Sequence, residues 1–554
     1  MDPAALQVLI SRLTGVAEEM GAVLRRAASS PNIKERADCS AALFTPDGSL
    51  LVQAEHIPVH LGSMPASVAA ALSVVGVDAL RPGDQVILND PFAGGTHLND
   101  ITLVAPCFSS DSSDGDRLLL GWAANRAHHA DVGGMAPGSI PPEAVEVYQE
   151  GLRLPPVVLS PAVVEILLAN SRTPLERRGD LDAQIGANAI GVERLRSLAV
   201  SVDELDEVLA YGERRMLAAL AALPVGEWTF SDVVDSTGPA PWQQVPAVVQ
   251  VMVRMAADGV VTFDFSGSSE QRPGNVNAVE AVTVSCVSFA LRSACDPSLP
   301  ANGGAMRPVR VLAPAGTIVN ASPPAAVGAG NVEVSQRIAD VCLGALALAL
   351  PSRVPAAGQG TMNNLIVGGP GAGPAGSGGW VYYETIAGGQ GGRPSGAPGM
   401  SGVHTGMTNT VKERHQFVGE PRPGQSGLHT AMTNTANTPV EALERAYPLR
   451  VLRYTLRRGS GGAGYSPGGE GMERDLQVLE DCTVSLITER RMSRPWGLDG
   501  GEPGAVGENW LLPGGDEAYA KRLRDKCTLE LKEGDVIRML TPGGGGWGLR
   551  VGRG

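Results

Sequence analysis

Lysine is nearly missing from this chain of 554 residues: Lys34, Lys412, Lys521, Lys526 and Lys532 are the only ones. None follows a glycine, so the GxxxxGKS/T loop that cradles nucleotide phosphates does not occur. Any ATP used must be held by something other than such a loop. Cysteine is sparse and unpatterned, with seven residues at 39, 107, 286, 295, 342, 482 and 527 and no CxxC pair. An odd, scattered set argues against a disulfide framework and a thiolate zinc site, and reads as small buried side chains. Long apolar runs are also lacking. The longest, Val341–Leu350, is interrupted by a glycine and falls well short of the ~18–20 residues of a membrane span. The N-terminus has no basic-then-apolar leader pattern, so a cytoplasmic protein without membrane association is expected. Basic charge is in deficit, with 44 Lys+Arg against 58 Asp+Glu and a formal net charge of −14, which argues against a nucleic-acid partner.

What is present supports a folded enzyme-sized chain. Hydrophobic residues make up 43% and charged residues 18%, enough apolar material for a core and no signature of disorder. The length corresponds to roughly three to four units of ~150 residues. Glycine is over-represented, 71 residues, about twice the usual ~7% share. No collagen-like triplet accompanies it, so the excess reads as tight turns and loops.

The clearest helix covers 4–26, with Asp2 as cap, Pro3 in the first turn and an apolar stripe from Leu6 to Leu24. Residues 41–52 form two short apolar runs around Pro46-Asp47-Gly48, a hairpin pattern. A helix over 66–75 and strands over 85–88, 101–106 and 118–123 follow. The stretch 158–220 reads as helical, broken at Arg172-Thr173-Pro174, with Glu176-Arg177-Arg178 opening a charged face. Beyond 225 the pattern is strand- and turn-rich (248–253, 260–265, 309–313), with a helix over 332–350 and strands at 380–385, 449–454 and 483–487. The fold class is mixed α/β: an α/β region over 1–222 carrying the candidate metal site, then a β-rich, glycine-rich region over 223–554.

Histidine carries the chemistry. There are eight, and five of them (56, 60, 97, 128 and 129) fall within 56–129 among carboxylates in polar, glycine-flanked loops. Neutral imidazole with carboxylate oxygen suits Zn, Mn or Fe sites with an open position. His97 and Asp100 are three apart, so one helical turn directs both to one ion. His128 and His129 are adjacent and face opposite sides of an extended segment, so at most one coordinates. An acidic residue such as Asp38 closes the set. The bland alternative is that these histidines cap loops, bond backbone or contact substrate; no HExxH-type motif decides between the two.

Other motifs are weaker. Gly371–Gly376 satisfies GxGxxG but neither follows a convincing strand nor opens a helix. Ala387–Arg393 has the composition of an anion-binding nest or of a plain flexible turn. Gly543–Gly546 suggests close approach to a neighbouring backbone. Ser401–Thr410 recurs as Ser426–Thr435 at an offset of 25, a local duplication that adds a loop or a second histidine-bearing turn.

Together these residues resemble the hydantoinase B / 5-oxoprolinase family. The resemblance runs almost end to end, through segments 30–38, 53–60, 89–100, 127–134, 148–151, 325–340, 358–364, 460–464 and 541–546. It implies a metal-bearing subunit working with a separate hydantoinase A-type subunit that binds ATP, in a hetero-oligomer. Carried over position by position, it implies Asp38, His97, Asp100 and His128 as metal ligands, with His129, Asp131 and Glu55 as outer or substrate-facing residues. Two departures stand out: Cys39 where relatives often have phenylalanine, and the duplication, which leaves open whether His404 or His429 holds the family position. The expected activity is ATP-dependent hydrolysis of a cyclic amide such as 5-oxoproline, hydantoin or N-methylhydantoin. Asp100 or Asp131 would take a proton, with His129 nearby. A subunit of an acetone- or acetophenone-type carboxylase and a non-catalytic scaffold are the alternatives.

Overall fold

The computed structural model describes residues 1–54, 57–109, 118–371, 379–394, 432, 435 and 437–549. Helix α1 (Pro3–Ala27) begins as expected, with the Asp2 carboxylate accepting the Ala4 and Ala5 amides at 3.1 and 3.2 Å. Its buried stripe is Leu6, Leu9, Leu13, Val16, Ala17, Met20 and Leu24. After the one-turn α2 (Pro31–Lys34), strands β1 (Cys39–Phe44) and β2 (Leu50–Gln53) make the expected hairpin. Helix α3 (Ser63–Val74) follows, then β3 (Val86–Leu88), β4 (Asp100–Phe108), β5 (Leu119–His128) and β6 (Val157–Val158). These six strands form one antiparallel sheet in the order β2-β1-β5-β4-β3-β6.

Helices α4 (Pro161–Asn170), α5 (Pro174–Leu198) and α6 (Val202–Leu220) fill the predicted helical stretch. The charged face expected at 176–178 is not a solvent face. Glu176 and Arg177 are buried and pair with each other and, through Arg177, with Asp180, while Arg178 alone reaches out to Glu165. One stripe of α5 is polar and buried because it supplies hydrogen bonds to the sheet: Gln184 Nε2 donates to the Ile101 carbonyl and Asn188 Nδ2 to that of Leu103.

The boundary drawn near 222 falls between α6 and β7 (Gly226–Val234). Strands β8 (Ala247–Met255) and β9 (Val261–Asp264), helix α7 (Glu280–Ala294) and strand β10 (Val309–Leu312) follow, and the strands form a second sheet, β10-β9-β8-β7. Helix α7 lies in a stretch the sequence suggested was strand and turn. Almost all of it is buried, so it has no polar face and no amphipathic period to read. It packs on α8 (Ser335–Ala349), which is preceded by a single π-helical turn, Gly330–Val334.

The remainder is β-rich, as expected. Strands β11 (Asn364–Gly369) and β12 (Trp380–Thr385) are followed by α9 (Val440–Ala446), β13 (Leu449–Arg457), β14 (Gly471–Val478) and β15 (Cys482–Ile487). Then come β16 (Glu508–Leu512), β17 (Lys521–Leu523), β18 (Lys526–Leu531) and β19 (Val536–Leu540). They build two sheets, β12-β11-β15-β18 and β13-β14-β19-β16-β17. The largest apolar core joins the two halves of the chain: Ile57, Val59 and Leu61 pack with Phe263, Leu343 and Ile366.

The glycine excess has a structural use. Five extended segments near 356–360, 387–393, 460–469, 496–505 and 541–548 run together, linked by backbone hydrogen bonds such as Gly389 to Pro542, Gly392 to Gly545, Gly462 to Gly544 and Gly546 to Glu502. Along the central segment a Cβ on Gly543 would overlap the Ser460 carbonyl, on Gly544 that of Gln390, on Gly545 that of Trp496 and on Gly546 that of Ala463. Neighbours recur every third residue, the period of a polyproline II-type chain. The close approach expected at 543–546 is therefore present. The anion nest considered at 387–393 is not: the Gly389 and Gly392 amides are taken by backbone carbonyls. The GxGxxG match, apart from Gly371, and the first copy of the duplication lie outside the described residues.

Candidate metal centre

Three strand ends meet at one margin of the first sheet. Antiparallel pairing puts the end of β5 beside the starts of β1 and β4, with Asp100 and His128 as register partners and Cys39 opposite Ala127. Asp38 precedes β1, and its carbonyl accepts the His128 amide at 3.0 Å. His97 sits in the turn before β4, closed by the Asp100 amide on the His97 carbonyl at 3.1 Å. The three-residue spacing thus works through a tight turn running into a strand, where a helical turn was expected.

The result is a compact cluster. His97 Nε2 lies 3.0 Å from His128 Nδ1, and Asp100 Oδ1 lies 3.4 Å from the first and 3.2 Å from the second. All three residues are almost fully buried. Burial lowers the His97 pKa to about 3, so the ring is neutral. Burial alone would raise the Asp100 pKa, but the His97, His128 and His60 rings outweigh it and hold the carboxyl well below its usual range. The other Asp100 oxygen, Oδ2, is held by Thr96 Oγ1 at 2.5 Å, His60 Nε2 at 3.4 Å and Asn331 Nδ2 at 3.5 Å. His60 is fixed in turn by Ser40 Oγ on its Nδ1 at 2.8 Å.

This donor set fits a divalent cation. Ligand atoms 2.0–2.2 Å from an ion stand roughly 2.8–3.6 Å apart in octahedral and tetrahedral sets, and the three observed separations fall in that range. Ring protons on the outer nitrogens, His97 Nδ1 and His128 Nε2, would leave the two inner nitrogens free to bind a cation beside Asp100 Oδ1. Those two outer nitrogens have no hydrogen-bond partner among the described residues.

Of the residues singled out from sequence, His97, Asp100 and His128 are brought together, and Asp38 lines the same small cavity. His129 and Asp131 are not. Past the end of β5 the chain turns the next side chain away, so His129 Nε2 meets Gln184 Oε1 of α5 at 2.8 Å. The Asp131 carboxylate is occupied by the Gly133 and Gly138 amides and by Arg172. Both serve as loop and helix anchors away from the three clustered residues, where the expectation had them take part in proton transfer. Glu55, His404 and His429 lie outside the described residues. Cys39 is buried and its thiol is pushed up to about 12 by burial, consistent with a small core side chain.

Four further residues of the site were given no role of their own from the sequence. His60 and Asn331 lay within family-like segments but had no distinguishing spacing. Tyr383 of β12 stacks on His128 with 4.8 Å between centroids, and its hydroxyl donates to Asn364. Arg36 lies over the same tyrosine ring and bonds the Tyr383 carbonyl and Thr385. The rest of the cavity wall is largely apolar, including Ile57, Val59, Val332 and Met362.

A mixed α/β chain with an imidazole–carboxylate cluster buried under a small cavity defines a candidate cation-dependent enzyme. The chain belongs to the hydantoinase B/oxoprolinase family, whose model matches residues 2–413 and 419–550. It is 40% identical to an uncharacterized protein of Methanocaldococcus jannaschii, covering 99% of this chain and 91% of that one. It is 35% identical to 5-oxoprolinase 1 of Arabidopsis thaliana over 99% of its length, yet spans only 42% of that protein. It is 30% identical to a putative B-type subunit of a D-/L-hydantoinase from a Pseudomonas strain, covering 99% of this chain and 90% of that one. Among solved structures, the ATP-dependent caprolactamase of Pseudomonas jessenii superposes with a TM-score of 0.83 at 26% identity, over 99% of this chain and 91% of that one. Among the described residues, no helix is long and apolar enough to cross a membrane.

Proposed function

We propose that this chain is the ring-opening subunit of an ATP-dependent cyclic-amide hydrolase, with Asp38, His97, Asp100 and His128 holding a divalent cation and a hydantoinase A-type partner binding ATP. The observation that carries the reading is the triangle of His97 Nε2, His128 Nδ1 and Asp100 Oδ1, with edges of 3.0–3.4 Å, at the floor of a largely apolar cavity. The names of the relatives, a 5-oxoprolinase, a hydantoinase subunit and a caprolactamase, support a cyclic amide and an assembly.

An unstrained lactam is a poor electrophile because nitrogen donates into its carbonyl. Phosphorylating the carbonyl oxygen at the partner removes that protection and makes the oxygen a leaving group. Addition of one water and cleavage of the C–N bond with protonation of the nitrogen give an acyl phosphate and an amine, and a second water then splits the acyl phosphate into a carboxylate and inorganic phosphate. A divalent cation supplies Lewis acidity and lowers the pKa of water toward about 7. The chain's own residues keep the His97 imidazole neutral, keep Asp100 ionised, and exclude bulk solvent behind apolar walls.

The test is to purify the chain with its hydantoinase A-type partner and assay 5-oxoproline, hydantoin and N-methylhydantoin with and without ATP, partner and chelator. Ring opening that needs ATP, partner and metal supports the reading. Opening undiminished without ATP and partner, or bicarbonate-dependent consumption of acetone instead, would overturn it.

A further inference from the structure

Asn331 sits in the π-helical turn before α8. The turn is pinned where the Gly330 amide donates to the Asn275 carbonyl at 3.0 Å, and a Cβ at Gly330 would overlap the Asn277 carbonyl. π turns widen a helix locally and recur at functional sites. Here the turn presents Asn331, only 4% exposed, to the same cavity that the metal-cluster residues line. Its Nδ2 faces Asp100 Oδ2 at 3.5 Å. An ionised carboxylate only accepts, so this contact fixes which end of the carboxamide is nitrogen. The other end, Oδ1, is buried and has no hydrogen-bond partner among the described residues. The hydroxyls of Thr385 and Thr435 on the same wall bond each other at 3.0 Å, and His60 Nδ1 is taken by Ser40. Asn331 Oδ1 is thus a neutral acceptor left open beside the cluster.

We infer that Asn331 Oδ1 accepts the ring N–H of the substrate, so that the site selects cyclic amides in which the nitrogen of the bond to be broken carries hydrogen. This rests on the cyclic-amide reading above and specifies its substrate class. The carboxamide spans from Asp100 to the ring nitrogen, which holds the adjacent carbonyl carbon next to the cluster. O-phosphorylation with that proton retained gives a phosphorylated iminium, a stronger donor than the lactam, so the hydrogen bond strengthens as the carbon becomes electrophilic. A buried acceptor left unpaired by an N-alkyl ring is the physical basis of rejection, the same asymmetry that lets enzyme sites discriminate against analogues lacking one hydrogen-bonding group.

The test compares 5-oxoproline with N-methyl-5-oxoproline, and 2-pyrrolidone with N-methyl-2-pyrrolidone, using the complete complex with ATP. The wild type is expected to prefer the N–H member by at least about 100-fold in kcat/KM. In Asn331→Leu, which keeps volume but removes both the acceptor and the contact to Asp100, both members should lose activity, and the N–H member should lose at least about 10-fold more than the N-methyl member. Asn331→Ala guards against misfolding of the leucine variant and should lose the preference in the same direction. Binding supplies a second readout: the N–H lactam should raise the melting temperature of the wild type more than its N-methyl counterpart, and this difference should vanish in both variants. A preference that survives in both variants overturns the inference while leaving the ring-opening function intact. A wild-type complex that opens no lactam overturns the functional reading and this inference with it.

Discussion

Tyr383 and His128 lie face to face, with ring centroids 4.8 Å apart and planes inclined by 19°, although they come from opposite halves of the chain. The stack fixes the plane of an imidazole whose outer nitrogen has no hydrogen-bond partner among the described residues. Packing thus does the orienting that a hydrogen bond to the outer nitrogen usually does for a metal-binding histidine. Tyr383→Leu should weaken zinc or manganese affinity by ~10–100-fold. Tyr383→Phe should retain that affinity and lose only about 1 kcal/mol of stability with the Asn364 hydrogen bond. Metal titration and denaturant unfolding of the two variants separate these outcomes.

His97→Ala and His128→Ala should each abolish stoichiometric metal. In the wild type, metal at about 100 times its dissociation constant should raise unfolding stability by ~2.7 kcal/mol, and neither variant should respond. Elemental analysis and melting curves with and without chelator check this.

His60 touches only the outer oxygen of Asp100 and is itself fixed by Ser40. His60→Ala should leave the ligands in place but loosen Asp100, costing ~10-fold or more in metal affinity and less than the loss of a ligand. Equal loss in His60→Ala and His97→Ala would instead make His60 a ligand in its own right.

Glu333, in the π turn, provides a pH signature. Burial, reinforced by Glu489, pushes its carboxyl up from 4.5 to about 8. Its Oε1 accepts from the Met362 amide and Asn364, and Oε2 has no partner among the described residues. A carboxyl whose pKa is higher folded than unfolded holds its proton more tightly in the native state. Its contribution is therefore full below pH ~4.5 and is lost as pH rises toward about 8, by about 1 kcal/mol per unit. Glu333→Gln, which mimics the neutral form, should flatten that part of the stability–pH curve. Urea unfolding between pH ~5 and ~8.5 measures it.

Much of the site was legible because its clustered residues are rare residue types in short spacings. His97 and Asp100 share one turn, and the adjacency of His128 and His129 already required that one of them face away. What the sequence could not convey is pairing across strands: that Asp100 would stand opposite His128, or that Tyr383 would arrive from β12. Asp131 looked catalytic because it follows two histidines, yet two amides and Arg172 consume its carboxylate. Helix α7 was invisible for want of a polar face. The Ala387–Arg393 region was open to an anion-nest reading because its true partners lie far away in the chain.

Gly544→Ala tests that last point. A methyl there would meet the Gln390 carbonyl, and the resulting overpacking should destabilise the C-terminal half by ~1–3 kcal/mol or more. Gly15, exposed on α1 with open space around it, should accept alanine without loss and gain up to about 1 kcal/mol from helix propensity. Thermal unfolding of the two variants provides the comparison.

Of the five extended segments, the one at the centre of the bundle comes latest along the chain. It bonds to each of the other four, through Gly389, Ala357, Gly462 and Glu502 among others, so it sits in this region like the keystone of an arch. A chain cut short before residue 541 would leave four rods with their inner carbonyls and amides open to water.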